Sequence, residues 1–486
     1  MSQTINSLEP KAMWEHFSAL NAVPRASKKE ERVIQFMMDF GKSLGLDTTK
    51  DEIGNVIIKK AATAGMESRQ TIVMQSHLDM VHQKNADTNF NFDTEGIKML
   101  IEGDWVRADG TTLGADNGIG VATIMALLTS KDIPHPAIEA LFTIDEETGM
   151  TGALGLKGGL LTGAILLNLD TEDDQELTIG CAGGVDITAT GMYREVDIPA
   201  GHSSHKLRVK GLTGGHSGMD IHLGRGNANK LMNRLLTQLT TELNPLISTV
   251  DGGGLRNAIP RESQVTFAIP SGEQAKLKHL VDNYRTIITA EYGITDPDIE
   301  LVLEEHPTLA TAAAPDFVMQ LVRSAYACPN GIYRMSPDIE DLVQTSNNLA
   351  RVLLKEGRYE ILCLTRSSVD SEKDDLEMAI TSCFELMGAQ VTTGGTYPGW
   401  APKPSAPIIE LMSSTYSRLF NEKPHVNACH AGLECGIIGT NYPDMDMISF
   451  GPNIRGAHSP DEKVQISSVQ KYWKYLLEVL KAIPEK

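Results

Sequence analysis

Thr71-Ile-Val-Met-Gln-Ser-His-Leu-Asp79 is an apolar run that stops at a histidine and, two residues later, an aspartate. A short apolar run of this kind reads as a buried strand, and in extended chain residues i and i+2 point the same way. His77 and Asp79 therefore share one side at a strand's end. The pattern returns: Ile138-Glu-Ala-Leu-Phe-Thr-Ile runs into Asp145-Glu146-Glu147, and Ala164-Ile-Leu-Leu-Asn-Leu into Asp170. A further strand-like run is Asn55-Val-Ile-Ile-Lys, and a helical stretch at 117–130 separates the runs at 71 and 138. Apolar strands alternating with helices predict an α/β domain with a mixed, mainly parallel sheet covered by helices. In such sheets ligands gather at the carboxyl ends of strands, where His77, Glu146, Glu147 and Asp170 fall.

Outward from this frame, residues 10–45 read as two helices, with Ser27 a candidate cap for the second. Glycine-rich Gly180-Cys-Ala-Gly-Gly184 and Gly394-Gly-Thr-Tyr-Pro-Gly-Trp400 interrupt the pattern. Between them lie strands near 206–210, 263–269 and 359–366 and helices near 225–241, 273–291 and 371–388. This predicts an inserted α+β domain at 185–395, built of two similar halves, within a first domain formed by 1–184 and 396–486. The chain's 486 residues suit such a division. After the insertion come a helix at 407–420, apolar Met445-Asp-Met-Ile-Ser-Phe, His458 and a closing helix at 466–482.

The net charge of −20, from 43 basic and 63 acidic residues, disfavours nucleic acid and anionic membranes as partners. No apolar run reaches membrane-spanning length, the amino terminus shows no signal-peptide pattern, and the six cysteines form no C-x-x-C pair. Cys181, Cys363 and Cys383 read as buried, reduced thiols. A cytoplasmic setting is the expectation.

Five separated segments offer two histidines and a surplus of carboxylates: Ser76–Asp79, Gly114–Asn117, Asp145–Glu147, Leu169-Asp170 and Gly456–Ser459. Neutral imidazole and carboxylate suit zinc, with cobalt or manganese as substitutes. For two Zn2+ ions a few ångströms apart, one carboxylate must bridge. Asp116 is the candidate, although it is equally readable as a cap for the helix near 118. His77 and Asp170 are assigned to one ion, His458 and Glu147 to the other, and Asp79 to orienting the His77 ring. Glu146 is the candidate general base; taken alone, Asp145-Glu-Glu147 reads as an exposed acidic turn. His82 reads as a surface residue. In the insertion, His216 lies among glycines, Asn257 offers an amide, and Arg366 follows an apolar strand, where it could grip a carboxylate.

These segments, in this order and with this insertion, resemble the aminoacylase/carboxypeptidase/dipeptidase superfamily of dinuclear zinc peptidases, over nearly the whole chain. The phrases His77-Leu-Asp-Met-Val, Thr112-Leu-Gly-Ala-Asp-Asn-Gly-Ile-Gly, Gly180-Cys-Ala-Gly-Gly, Gly214-Gly-His-Ser-Gly, Arg256-Asn-Ala-Ile-Pro-Arg261, His430-Ala-Gly-Leu-Glu-Cys-Gly and His458-Ser-Pro-Asp-Glu are similar to its bacterial Xaa-His dipeptidase branch. The resemblance implies a catalytic domain with a lid that also dimerises. It implies that Asn257 and Arg366, with backbone near Gly432, hold the substrate's terminal carboxylate. It further implies that His216 reaches across a homodimer to stabilise the neighbour's oxyanion. Two positions depart from the common pattern: His82 stands where proline is usual, and Asn117 where a second acid often follows the bridging aspartate.

The expected activity is hydrolysis of dipeptides, chiefly Xaa-His, by water activated at two zinc ions, with Glu146 as base. An N-acyl amino-acid deacylase on the same scaffold, a non-catalytic metal-dependent binding protein and a metal-free two-carboxylate glycosidase are the rival readings.

Overall fold

The structure, a computed structural model, describes residues 4–486, so the first three residues of the amino-terminal stretch lie outside it. The chain divides into two compact units. One comprises 1–180, 400–428 and 433–486; the other comprises 181–399 and 429–432. The short return of 429–432 to the second unit is a detail that the sequence does not announce.

The first unit is built on an eight-stranded sheet. Its middle is parallel: Ile138–Thr143, Ile72–His77, Ile165–Asn168 and Asp446–Ser449 lie side by side in that order. Asp47–Lys50 and Val56–Lys60 extend one edge in antiparallel fashion, and Glu176–Cys181 pairs antiparallel with Asp446–Ser449 on the other side. The central strands are buried throughout, which is why they read as apolar runs without alternation. The helix Ala115–Thr129 is buried almost all round and packs by its Ile119, Ala122 and Ala126 with Trp14 and Phe17. A second, four-stranded sheet contains Ile454–Arg455 and so leads the chain towards His458.

The second unit carries a nine-stranded antiparallel sheet. Four of its strands (His202–Lys210, Leu246–Gly253, Ser263–Pro270 and Glu300–Glu305) group with the helices Ala228–Glu242 and Gln274–Tyr292. Gly183–Met192, Val343–Lys355, Arg358–Ser367 and Gln390–Tyr397 group with the helices Pro315–Ala327 and Asp370–Glu385. The groups join where Leu246–Gly253 pairs with Val343–Lys355. One apolar core serves all four helices, each offering residues at helical spacing, such as Leu231, Leu235 and Leu239 from the first and Leu376, Ile380 and Phe384 from the last. Among the described residues, no helix is long and apolar enough to cross a membrane. Cys181 and Cys363 are buried, whereas Cys383 is only half-buried because its helix turns it towards the surface.

Candidate metal centre

The parallel strands end together, and their ends carry the candidate ligands. His77 is the last residue of its strand, and Asp170 lies two residues beyond Asn168. After Thr143 the strand does not persist: Asp145 adopts a left-handed conformation (φ 52°), and Glu146 and Glu147 begin a short helix. The two glutamates sit on a helical turn, not on a pleat, and each brings a carboxylate oxygen within 4.8 Å of the other and of a His77 ring nitrogen. His458 is also left-handed (φ 64°), in a loop following Ile454–Arg455.

Asp116 lies between the histidines. Its Oδ1 is 3.2 Å from His77 Nε2, and its Oδ2 is 3.3 Å from His458 Nε2. His77 Nε2 is also 3.4 Å from Asp170 Oδ1, and His458 Nε2 is 3.0 Å from Glu147 Oε2. Among the described residues four potential ligand groups have their ligand atoms within 4.8 Å of one another: His77–Glu146–Glu147, Glu30–Asp79–Asp145, and a pair that takes in both histidines, His77–Asp116–Asp170 and Asp116–Glu147–His458. Asp116 is common to the last two. Asp116 and Asn117 have non-helical backbone angles (ψ 109° and 35°), so the regular helix begins near Gly118, but the Asp116 carboxylate oxygens face the two histidines.

The donor set fits divalent cations on two counts. Glu147 Oε1 and Asp170 Oδ1 are buried with no hydrogen-bond donor aligned on them, and buried acceptors are seldom left so. The charge is also unbalanced. Burial, then nearby carboxylates including Asp116, pushes the Glu147 and Asp170 carboxyl groups above their ordinary range. His458 is pushed up to about 11 by its hydrogen bonds to Asp116 and Glu147. Burial opposes a charge on Asp116 too, but His458 and His77 outweigh it and hold that carboxyl well below its usual value. A compact carboxylate cluster with imidazoles turned into it is what cations of high charge density neutralise.

Around these groups lies a second layer. Asp79 is fully buried, and His77 Nδ1 lies 3.2 Å from its main-chain carbonyl oxygen and 3.3 Å from its Oδ1. It also accepts the backbone N–H groups of Glu146 (3.0 Å) and Glu147 (3.3 Å). Ser27 donates to Asp79 Oδ2 at 2.8 Å, so it does not cap the second helix, whose N-cap is Glu30. Asn117 donates to the Leu169 carbonyl (2.6 Å) and accepts from Ser76, which explains an amide where an acid is common. Burial first, with Asp170 and Glu147 adding to it against His77, holds the Glu146 carboxyl well above its ordinary range. His82 is exposed and packs edge-on against Phe92 (5.8 Å), away from these ligands.

Three residues of this neighbourhood escaped the sequence reading. Glu172 is pushed up to about 8 by burial and by Asp116 and Asp170. Glu434 is buried and accepts from Gln75 Nε2 and Thr143 Oγ1, each at 2.6 Å. Glu462 is buried against the Asp116 segment. Glu434 and Glu462 had a sequence signal, each standing four residues after a histidine, His430 and His458, in a phrase that carries the family resemblance.

The other named residues belong to the second unit. His216 Nδ1 accepts from the N–H groups of Gly218 (3.2 Å) and Met219 (3.0 Å), which leaves the proton on Nε2. The Asn257 carbonyl accepts from Ser217 N (2.8 Å), and the Asn257 residue is exposed. Arg366 is 5% exposed; Nη1 donates to Tyr397 Oη (2.9 Å), and Nε has no acceptor. A Cβ on Gly218 would sit 3.2 Å from Arg366 Cδ and 2.0 Å from the His430 carbonyl oxygen, so the His216 loop lies on Arg366 within one chain. His430 donates to or accepts from Ser346 Oγ at 2.7 Å, and burial with Arg366 nearby pushes its imidazole down to about 3. Gly432 ends the 429–432 segment of this unit.

The model of peptidase family M20/M25/M40 matches residues 73–482. A relative from Escherichia coli (strain K12), named cytosol non-specific dipeptidase, is 43% identical over 482 residues, 99% of either chain. The crystal structure of aminoacylhistidine dipeptidase from Vibrio alginolyticus superposes with a TM-score of 0.92 at 46% identity, covering 100% of this chain and 99% of that one. An aminopeptidase from Bacillus cereus shares the fold (TM-score 0.56, 16% identity, 98% and 99% covered). With a model match over most of its length and relatives this close end to end, the chain belongs to peptidase family M20/M25/M40.

Proposed function

We propose that this protein is a metal-dependent dipeptidase acting in the cytosol on substrates with a free terminal carboxylate, among them Xaa-His dipeptides. The observation that carries the proposal is Asp116, one carboxylate offering an oxygen to each of two histidine-containing ligand groups. His77, Asp116 and Asp170 would hold one cation and Asp116, Glu147 and His458 the other; zinc suits this nitrogen and oxygen set. When bound, such cations polarise a carbonyl and lower the pKa of water to about 7.

The chain's own residues supply the rest. Asp79 holds the His77 ring through Nδ1 and fixes the Glu146–Glu147 turn through two N–H bonds. Glu146 takes the proton of the attacking water and returns one to the leaving nitrogen. Burial raises its affinity for a proton, which suits that exchange. His216, with Nδ1 occupied by backbone donors, presents Nε2–H to the carbonyl oxygen as it gains charge. Arg366, by its unpaired Nε–H, together with Asn257 and the backbone at Gly432, holds the carboxylate.

The experiment is a panel comparing Xaa-His and other dipeptides, tripeptides and N-acetyl amino acids, with metal content measured on the same samples. Dipeptide turnover at two metal ions per chain is expected; preference for N-acetyl amino acids overturns the reading.

A homodimer in which His216 serves the neighbouring subunit is also proposed. The packing of Gly218 on Arg366 favours a second reading, in which both residues of one chain serve the same site. Mixing His216→Ala with Arg366→Ala subunits separates them: activity returns only if the two residues of a chain serve different sites.

A further inference from the structure

Glu462 and Arg25 are charged side chains with 2% and 1% exposure, and neither offers an atom to the ligand groups. Glu462 accepts four backbone N–H groups: Leu113 (2.7 Å) and Gly114 (2.9 Å) on Oε2, Ala115 (2.7 Å) and Asp116 (3.2 Å) on Oε1. It therefore holds the segment that delivers Asp116, and it does so from the loop that delivers His458. Two of the four amides, those of Ala115 and Asp116, lie just before the kink at Asp116 and Asn117, whose backbone angles are non-helical.

Arg25 grips the same segment from its carbonyl side. Nη2 donates to the Gly114 carbonyl (2.5 Å) and to Asn21 Oδ1 (3.1 Å). Nη1 donates to the Leu78 (3.1 Å) and Asp79 (3.0 Å) carbonyls, just beyond His77. Gly114 is thus held at its N–H by one charge and at its C=O by the other. Its left-handed conformation (φ 71°) and the 2.4 Å between a hypothetical Cβ and Arg25 Nη2 leave no space for another residue there.

Three ligand loops are tied by these two side chains. We propose that Arg25 and Glu462 are positioning residues that fix the separation of the two cation sites, Arg25 coupling the His77 and Asp116 loops and Glu462 coupling the Asp116 and His458 loops. This rests on the two-cation reading above. The two sites depend on the pair unequally. His77 and Asp170 are anchored by buried strands of the central sheet. The His458 side chain is 59% exposed, and its loop has Glu462 as the buried charged anchor. The Asp116–Glu147–His458 site should loosen first.

The test uses the full-length protein, stripped of metal with a chelator and titrated with Co2+, read by calorimetry and by the visible absorption of the bound ion. The wild type is expected to show two binding steps. Glu462→Gln keeps the size but sets an NH2 group against two N–H donors. It should weaken the second step by about 10–100-fold, the usual effect of losing a residue that orients a ligand, and change the second ion's spectrum while sparing the first. Arg25→Lys should weaken both steps. Glu462→Asp, which retains the charge at shorter reach, should fall between Gln and wild type; it carries the comparison alone if the Gln variant does not fold. A wild type that takes up one Co2+ overturns the two-cation reading itself. Two wild-type steps left unchanged in affinity and spectrum by the Glu462 variant, or weakened equally, overturn the clamp.

Discussion

Asp79 Oδ1 lies 3.3 Å from His77 Nδ1, and the same carboxylate receives the backbone N–H groups of Glu146 and Glu147. One buried side chain thus sets the ring of a proposed ligand and the turn that bears the proposed base. Asp79→Asn keeps the shape but sets an NH2 group against donors. We expect metal affinity to fall about 10–100-fold, measured by competition with a chromophoric chelator. Wild-type affinity would remove Asp79 from the orienting role.

Glu146→Gln should retain both metal ions and lose about 10²–10⁴-fold in kcat. Metal analysis and steady-state kinetics on one preparation check this. Near-normal turnover would leave the water's proton to another group.

Arg366→Ala should act mainly on KM and only for substrates with a free terminal carboxylate. A dipeptide amide, poor from the outset, should be nearly indifferent to the change. His216→Ala should lower kcat by about 10²–10³-fold, the scale for one oxyanion donor, with metal content unaltered.

Burial first, with Asp170 and Asp79 adding to it, pushes the Glu434 carboxyl up to about 8. In the folded chain it stays protonated above 4.5, where the unfolded chain releases its proton. Its contribution to stability is therefore whole below about pH 4.5 and is lost as pH rises towards 8. Glu434→Gln mimics the protonated acid and still accepts from Gln75 and Thr143. Melting curves of the metal-free protein between pH 5 and 8 should decline less steeply in this variant than in wild type.

Chelation should abolish turnover and lower the melting temperature, and Zn2+, Co2+ or Mn2+ should restore both, since ligands that bind the native state stabilise it. Dipeptide turnover that survives exhaustive chelation would overturn the metal-dependent reading.

The strands that carry His77 and Asp170 were legible because full burial writes itself as an uninterrupted apolar run. Asp116 was readable as a candidate bridge but not separable from a helix cap, because both uses favour an acid near a helix start; only its two oxygens facing two histidines separate them. Ser27 misled for a similar reason: a serine before a helix suggests a cap, while its actual partner, Asp79, is distant in sequence. Arg25, Glu434 and Glu462 left little trace, because buried charge looks like surface charge until the partners are known. The 429–432 segment could not be assigned to the second unit, since no change of composition marks it.

Asp446–Ser449 lies inside the first unit's sheet, between Ile165–Asn168 and Glu176–Cys181, although the stretch 182–445 separates it from both in sequence. On the ribosome, a chain that stops short of it has a gap where a parallel neighbour belongs, and His458 has yet to emerge. The contiguous stretch 181–399 has no such gap and can close its own sheet earlier. The proposed metal centre therefore cannot assemble before this strand and His458 have been made, which keeps a shorter nascent chain from holding both cations.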